Sequence, residues 1–289
     1  MTTQSTNQMV CAVTGANGYV GSRITHYLRQ MNFKALELAR SSQKKGNHVY
    51  FSLSDGVQKE ALQGVHVLIH CAYDFRPKSW EEIYSVNVEG SRRLFESARD
   101  AGVQKIILFS TMSAFEGCTS KYGRAKLVIE KLAQKFKAMI IRPGLIYGEA
   151  AGGMVGTLNR LIDKSPVIPL IDGGSQKLYL AHEEDVAALV AKLALEGKST
   201  EIICAAHPAP YTFKEIISEF ARRKNKQIRF VSVPWELVYW GVRLVEMLGV
   251  KGIRSDSLIS LVNQNPNPDF SATLKSGINF RPFIVRERK

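Results

Sequence analysis

The sequence predicts an α/β fold, in which a doubly wound parallel sheet is followed by a smaller, mostly helical part toward the C-terminus. Over roughly the first 145 residues, short apolar runs of strand length alternate with segments whose apolar residues recur at helical spacing. This alternation is typical of parallel strands joined by right-handed helical crossovers. The clearest strand candidates are apolar on both faces, as expected for a sheet covered by helices on both sides.

The predicted strands and helices of this first part follow in order. The strand candidates are residues 9–13, 35–39, 48–53, 65–72, 105–109 and 138–141. One helix begins near Val20, a second covers residues 80–101 and ends at Gly102, and a third covers residues 125–136. The third helix has the clearest amphipathic pattern in the chain.

Beyond Tyr147 the pattern is irregular. Glycine-rich stretches at residues 151–156 and 172–175 predict loops. The remaining predictions are helices at residues 182–195, 213–223 and 234–248 and short strands at residues 202–204 and 228–231. We therefore expect one domain over residues 1–150 and a substrate-binding part over residues 151–289, interleaved with the last strands of the sheet.

Composition narrows the class of protein. A hydrophobic fraction of 45% and a charged fraction of 22% are ordinary for a globular protein and exclude a disordered or collagen-like chain. The formal net charge of +13 favours anionic partners. Because the basic residues are scattered, we predict no nucleic-acid binding, which leaves a phosphate-bearing cofactor or substrate and an anionic membrane surface as alternatives.

The sequence also indicates where the protein works. A polar N-terminus and an apolar stretch that is interrupted by charges at Glu236, Arg243 and Glu246 predict a soluble protein, without a secretory signal or a spanning helix. For the helix at residues 234–248, core packing is favoured over contact with a membrane surface. The four cysteines and six histidines lack ligand spacing, so we predict no metal site and a cytoplasmic location.

A glycine turn lies between the first strand and the first helix, where it has the pattern of a dinucleotide-binding site. The sequence from Thr14 reads TGANGYVG. Gly15 permits the tight turn, Gly18 lets the backbone approach a pyrophosphate, and Gly21 allows close packing of the helix on the sheet. The residues predicted to bind the cofactor here are Gly15, Asn17, Gly18, Tyr19, Val20 and Gly21.

The end of the second strand indicates NADP, with NAD as the alternative. An NAD site usually presents Asp or Glu to the ribose hydroxyls, whereas this chain continues from Ala39 into Arg40, Ser41 and Ser42. Arg40, with Ser41 or Ser42 as a hydrogen-bond donor, would bind a 2′-phosphate. The alternative is that Arg40 is a solvated surface residue.

Several motifs resemble the extended branch of the short-chain dehydrogenase/reductase superfamily. They are the glycine turn, the YxxxK run from Tyr122 to Lys126, Ser110-Thr111 after a strand, and the segments VLIHCA, NVEG, RPGLIYG and HEEDV. The branch contains NAD(P)-dependent epimerases, dehydratases and sugar-nucleotide reductases. The resemblance implies a Rossmann-type fold and an NAD(P)-dependent oxidoreductase.

The resemblance implies that Tyr122 exchanges a proton while hydride moves to or from the cofactor. Lys126 lies four residues later on the same helix, so we expect its ammonium group to lower the pKa of the tyrosine from about 10. The family's third catalytic residue falls on Thr111 when the alignment starts from the preceding strand, and on Met112 when it runs back from Gly117. Thr111 is preferred, with Ser113 as a substitute.

The resemblance implies further cofactor contacts, and the chain departs from the family in two places. The implied contacts are Ser52, Leu53, Cys71, Ala72, Tyr73, Asn87, Tyr122, Lys126 and Pro143. Ser52 stands where many relatives have an aspartate that faces the adenine. Only ten residues separate Thr111 from Tyr122, which predicts an unusually open mouth.

We therefore predict hydride and proton exchange at a hydroxyl or carbonyl carbon of a small-molecule substrate. The net charge mildly favours an anionic substrate such as a nucleotide sugar. The alternative is a regulatory or assembly protein that binds NADP without turnover. Relatives are often dimers, so a homodimer is one expected state.

Overall fold

A computed structural model describes residues 8–40, 47–149, 152–197, 201–248 and 255–284. The strands are β1 Val10–Thr14, β2 Lys34–Ala39, β3 His48–Tyr50, β4 Val67–His70, β5 Lys105–Phe109, β6 Met139–Pro143, β7 Leu145–Tyr147, β8 Val167–Ile171, β9 Lys177–Leu178, β10 Leu180–His182, β11 Ile203–Ala205, β12 Tyr211–Thr212 and β13 Arg229–Val233. The helices are α1 Tyr19–Gln30, α2 Trp80–Ile83, α3 Glu89–Asp100, α4 Lys121–Lys135, α5 Gly153–Lys164, α6 Glu183–Glu196, α7 Phe213–Arg223, α8 Trp235–Met247, α9 Ser255–Val262 and α10 Ser271–Lys275.

The central sheet confirms the predicted α/β fold. Its seven strands lie in the order β11-β6-β5-β4-β1-β2-β3, and the pairings from β6 across to β3 are parallel. The chain starts at β1, runs outward to β3, and then returns to β4 on the other side of β1. In a doubly wound sheet this reversal of strand order leaves a crevice at the carboxyl ends of the strands, where ligands bind.

By contact density the chain separates into two compact units. Unit 1 consists of Met1–Ser110, Ala125–Arg142 and Glu183–Ile203, and unit 2 of Thr111–Arg124, Pro143–His182 and Cys204–Lys289. The core of unit 1 is formed by apolar side chains of the sheet and its helices, among them Leu38, Leu68, Phe95, Leu108 and Ile129. Unit 2 has its own core, which includes Tyr147, Leu180, Phe213, Ile217 and Phe283. The division of the sequence at residue 150 stays a prediction.

Two of the predicted segments have a different structure from the one expected. The helix predicted over residues 80–101 is interrupted by a π-helical turn at Tyr84–Val88, between α2 and α3. That turn contains Asn87, which faces the backbone of the preceding loop. The loop predicted at residues 151–156 is wrong from Gly153 onward, because α5 begins there and its buried side chains have helical spacing despite the glycines.

Helix α8 is only partly buried. Trp235 and Val238 pack against the core of unit 2, so the prediction of core packing holds for one face of this helix. No helix in the described ranges combines the length and the apolar character needed to cross a membrane.

Glycine is required at position 21 because α1 packs closely against the turn that precedes it. A Cβ atom at Gly21 would overlap the carbonyl oxygen of Gly15. We predict that Gly21→Ala lowers the free energy of unfolding by about 1–3 kcal/mol, measured by urea denaturation. The control is Gly241→Ala in α8, where no atom lies near the new methyl group. This control should be stabilising by about 0.5–1 kcal/mol, and equal effects of the two substitutions would contradict the packing argument.

Candidate active site

The glycine turn of unit 1 forms a cradle of backbone at the end of β1. Gly15 has a φ of 68°, and its N–H donates to the carbonyl oxygen of Leu38 at 2.9 Å. The N–H of Gly18 donates back to the carbonyl oxygen of Gly15 at 2.8 Å, which closes the turn. A Cβ on Gly15 would lie 3.1 Å from the Cα atom of Ala72, so the turn and the loop after β4 approach closely. The backbone of the turn therefore lies close to the loop after β4 and leaves little room for a side chain at position 15.

The N-terminus of α1 is suited to an anion. Its N-cap residue is Gly18, which has no side chain to bind the first N–H groups of the helix. The first turn of α1 contains no acidic residue. Because a helix N-terminus carries a partial positive charge, these N–H groups fit a diphosphate, which agrees with the role predicted for residues 15–21.

A buried chain of hydrogen bonds holds the ends of β1 and β4 together. The hydroxyl oxygen of Thr14 accepts from the N–H groups of Cys71 and Ala72, both at 3.1 Å, and lies 2.8 Å from Nδ1 of His70. With both lone pairs used, the Thr14 hydroxyl must donate its proton to Nδ1. Nε2 of His70 then carries the proton and donates to Ser91 at 2.9 Å, and Ser91 donates to the carbonyl oxygen of Asn87.

The loop after β4 is fixed by Asn87. Its side-chain oxygen accepts from the N–H of Asp74 at 2.7 Å, and its side-chain nitrogen donates to the carbonyl oxygen of Asp74 at 3.0 Å. Asn87 is buried within the π-helical turn. The bonds hold Cys71, Ala72 and Tyr73, which were predicted to contact the cofactor, in one defined segment.

Arg40 belongs to a charged cluster that the sequence did not reveal. Its Nη1 lies 3.6 Å from a carboxylate oxygen of Asp74. Arg76 also binds this carboxylate, with Nε 3.0 Å from each oxygen, and its guanidinium group holds the pKa of Asp74 below its usual range. Two guanidinium groups and one carboxylate leave a net charge of +1, which favours an anion beside Arg40. Ser41, which was predicted to assist Arg40, lies outside the described residues.

Ser52 and Leu53 form part of a tight turn at the end of the adjacent strand. The hydroxyl group of Ser52 donates to the carboxylate of Asp55 at 2.8 Å, and that of Tyr50 donates to the same oxygen at 2.6 Å. The carbonyl oxygen of Leu53 accepts from Arg93 at 2.9 Å. The Ser52 side chain is thus hydrogen-bonded to Asp55, and the predicted cofactor contacts of Ser52 and Leu53 stay predictions.

The side chain of Tyr19 is hydrogen-bonded to the start of α6. Its hydroxyl donates to Glu183 at 2.6 Å, and Arg23 lies 3.4 Å from the other oxygen of that carboxylate. Burial and this carboxylate raise the pKa of the Tyr19 phenol well above its usual range. The backbone N–H of Tyr19 remains suited to binding a phosphate, and the side chain joins α1 to the start of α6.

Lys126 is buried in α4 and is held by a backbone carbonyl. Its Nζ donates to the carbonyl oxygen of Phe109 at 2.7 Å and lies 5.3 Å from the centre of the Tyr73 ring. Burial lowers the pKa of Lys126 to about 8, while Cys71 and Glu130 act in the opposite direction. Burial also raises the pKa of the Cys71 thiol to about 12, so this thiol is uncharged beside the lysine.

In unit 2, Thr111 and Tyr122 are hydrogen-bonded through their side chains. Loss of contact with water raises the pKa of the Tyr122 phenol to about 12, and the bond to Thr111 opposes this rise. The expectation of a pKa below 10 is therefore wrong for this structure, because burial has the larger effect. The pairing favours Thr111 over Met112, whose side chain is buried and whose N–H donates to the carbonyl oxygen of Pro143.

The start of α4 is fixed by a carboxylate that sequence reasoning missed. Asp256 in α9 accepts from the N–H of Lys121 at 2.7 Å and from the N–H of Tyr122 at 3.0 Å. The hydroxyl oxygen of Ser120 accepts from the N–H of Gly123 at 3.1 Å. These bonds satisfy the first N–H groups of α4 and fix the backbone that carries the phenol. No local pattern could assign Asp256 this role, because its partners are more than a hundred residues away.

The short segment between Thr111 and Tyr122 has a defined conformation. The hydroxyl oxygen of Thr111 accepts from the N–H of Ser113 at 3.2 Å. Asn263, the residue that follows α9, donates to the Thr119 hydroxyl at 2.7 Å and anchors this segment at a second point. The role of Ser113 and the open mouth that the short segment suggested stay predictions.

Comparison with known proteins places this geometry in a family. A profile of the NAD dependent epimerase/dehydratase family matches residues 11–205. The chain is 29% identical over 236 residues to the ceramide reductase of Caulobacter vibrioides, and the match covers 78% of this chain and 74% of that protein. It is 24% identical over 274 residues to a decarboxylating sterol-4-alpha-carboxylate 3-dehydrogenase of Mus musculus, with 82% and 75% covered.

A solved structure supports the same fold. MoeE5 in complex with UDP-glucuronic acid and NAD aligns with a TM-score of 0.67 at 20% identity, over 78% of this chain and 85% of that one. At this level of identity the likeness concerns the fold.

The buried histidine gives the site a testable pH dependence. Burial lowers the pKa of His70 to about 3 from its usual 6.5, so the unfolded chain takes up a proton that the folded chain refuses between these values. The contribution of His70 to stability is therefore complete above pH 6.5 and is lost as the pH falls toward 3. We predict that the free energy of unfolding falls less steeply between pH 7 and pH 5 in His70→Gln than in the wild type, by up to about 1.4 kcal/mol per pH unit.

The control for this measurement is His26→Gln, which removes an exposed histidine of α1. This variant should keep the wild-type slope in urea titrations at the two pH values. If His70→Gln kept that slope too, the neutral, hydrogen-bonded assignment of His70 would be contradicted.

Proposed function

This chain belongs to the NAD dependent epimerase/dehydratase family, and we propose that it is an NADP-preferring oxidoreductase that acts on a hydroxyl or carbonyl carbon of a small molecule. The observation that carries this proposal is the hydrogen bond between Thr111 and Tyr122 at the start of α4, with Lys126 one helical turn later. A hydroxyl, a phenol and a buried ammonium group suffice to orient a substrate oxygen and to exchange a proton with it.

The backbone cradle of unit 1 fits a dinucleotide. The N-terminus of α1 has no side-chain cap and no acidic residue in its first turn, so its N–H groups are donors for a diphosphate. When bound, the dinucleotide supplies or accepts the hydride. The residues that would hold it are the glycine turn, Arg40, the segment of residues 71–73 and Lys126.

The residues of the chain have separate roles in this proposal. In the direction of reduction, the carbonyl carbon gains a hydride and its oxygen gains the proton of Tyr122, which gives an alcohol and a phenolate. Thr111 donates its single hydroxyl proton in a hydrogen bond to the substrate oxygen. Lys126, which is charged below a pH of about 8, favours the phenolate electrostatically and allows the phenol to be reprotonated from water.

For the substrate we favour an apolar ketone or alcohol. Two relatives that match over most of the chain are named for a ceramide and for a sterol carboxylate, both of which are lipids. A nucleotide sugar is the second candidate, because the MoeE5 complex holds UDP-glucuronic acid and because the net charge of +13 favours anions. None of the four cysteines, all of which lie in the described ranges, forms a disulfide bond, which supports a reducing, cytoplasmic setting.

The preference for NADP can be tested at the charged cluster. We predict that Arg40→Ala weakens NADPH binding by about tenfold to a hundredfold, because a charged hydrogen bond to the 2′-phosphate is lost. It should leave the affinity for NADH within about twofold. Asp74→Asn should strengthen NADPH binding, because it removes the negative charge beside the phosphate. Isothermal calorimetry measures the affinities of the wild type and of both variants for NADPH and for NADH.

Arg99→Ala, which removes an exposed arginine of α3, is the control for charge alone. An Arg40→Ala variant with unchanged NADPH affinity, together with an Asp74→Asn variant that loses NADH, would identify an NAD site in which Asp74 binds the ribose.

Catalysis can be tested at the phenol. Tyr122→Phe should lower turnover by about a hundredfold to ten-thousandfold, because the proton donor is lost while the aromatic packing is kept. Its affinity for NADPH, measured by calorimetry, should stay at the wild-type value. The assay follows NADPH oxidation with a panel of apolar ketones and UDP-sugars.

The competing possibility is a regulatory protein that binds the cofactor without turnover. Tight NADPH binding by the wild type, with no oxidation that Tyr122→Phe removes, would favour that alternative over the enzyme.

A further inference from the structure

Helix α8 of unit 2 presents an apolar face to solvent. Leu237, Trp240, Leu244, Met247 and Leu248 are each between 59 and 78% exposed. Their spacing of three, four, three and one residues places them on one side of the helix axis. The opposite side, with Trp235 and Val238, packs against the core of unit 2. The exposed residues therefore form a continuous stripe, which we call the α8 face.

Such a stripe is unusual on a surface that meets only water. Scattered apolar residues are common on protein surfaces, but a contiguous group of large ones marks a place of contact. The α8 face contains five large apolar residues within twelve positions, and Gly241 leaves open space between them. The inward side of the helix already supplies the packing that α8 needs, so the outward side is available for a partner.

The charges around α8 identify the kind of partner. Within the described residues 226–248 the chain carries three Lys and Arg against two Glu, and Arg243 is exposed on α8 itself. An apolar stripe with a tryptophan at its edge and basic residues nearby fits the interface of a bilayer that contains anionic lipid. We propose that the α8 face docks this protein on an anionic membrane surface, with the helix lying in the interfacial plane.

The alternative occupant is a second copy of the chain. Both copies would carry the same net charge of +13, which opposes their association, whereas it attracts each copy to an anionic surface. The aromatic residues of α8 also favour a membrane surface over a second copy. Trp240 lies against Tyr239, with ring centres 5.5 Å apart, and both residues combine an apolar ring with a polar atom. Side chains of this kind are enriched where a membrane meets water.

The experiment is co-sedimentation of the purified full-length protein with vesicles at low salt. Vesicles of equal parts phosphatidylcholine and phosphatidylglycerol should pellet the protein, and vesicles of phosphatidylcholine alone should do so at least about tenfold less well. Leu244→Glu should weaken the partitioning by at least about tenfold, because a large apolar group is replaced by an anion. Met247→Gln, a milder change, should give a smaller loss.

Leu274→Glu is the matched control. Leu274 lies on α10 of the same unit and is 72% exposed, and its substitution adds the same charge without touching the α8 face. This control should bind vesicles as the wild type does. A blue shift of tryptophan emission on addition of vesicles, lost in Trp240→Phe, should report entry of the helix into the interface.

The proposal is overturned if the wild type does not pellet with anionic vesicles at low salt, or if Leu244→Glu and Leu274→Glu bind equally well. Equal binding to both kinds of vesicle would overturn the assignment to an anionic surface. Analytical ultracentrifugation covers the remaining outcome. A dimer that dissociates in Leu244→Glu but persists in Leu274→Glu would assign the α8 face to a second copy of the chain instead.

Discussion

The hydroxyl group of Thr14 is the point on which the candidate cofactor site depends. It accepts two backbone N–H groups from the loop after β4 and lies within hydrogen-bond distance of His70, so the ends of β1 and β4 are held at a fixed separation. Through His70 and Ser91 the same chain of bonds reaches Asn87, which fixes the loop that continues to Asp74. Because Thr14, His70, Ser91 and Asn87 are buried and hydrogen-bonded, the network is rigid, and the loss of one donor would leave buried polar groups without partners.

The two halves of the proposed chemistry are held by different means. The cofactor half depends on the backbone, because N–H groups of a glycine turn and of a helix N-terminus can bind phosphate with few side-chain contacts. The proton-transfer half rests on α4, which carries Tyr122 and Lys126 one turn apart. At its start, Asp256 binds the first N–H groups of the helix. One turn later, the Phe109 carbonyl and the Tyr73 ring compensate for burial of the lysine charge.

Local patterns predicted much of the fold and the motif residues, whereas contacts between distant segments escaped them. The glycine turn and the alternation of strands and helices are encoded within short windows, and they agree with the structure at β1, α1 and the parallel sheet. Asp74 and Asp256 could not be found in this way, because their partners are distant in the chain or depend on the folded loop. The pKa of Tyr122 was predicted to fall, whereas burial raises it. Burial is a property of the folded chain and cannot be read from a short stretch of sequence. Helix α5 was hidden because its glycines resemble those of a loop.

Binding of a pyridine-dinucleotide diphosphate by residues 15–21 of unit 1 can be tested by hydrogen–deuterium exchange, read by mass spectrometry with and without saturating NADPH. We expect NADPH to slow exchange of the backbone N–H groups of the glycine turn and the first turn of α1, and of the loop after β4. Unchanged exchange in these segments, with protection elsewhere or nowhere, would contradict it.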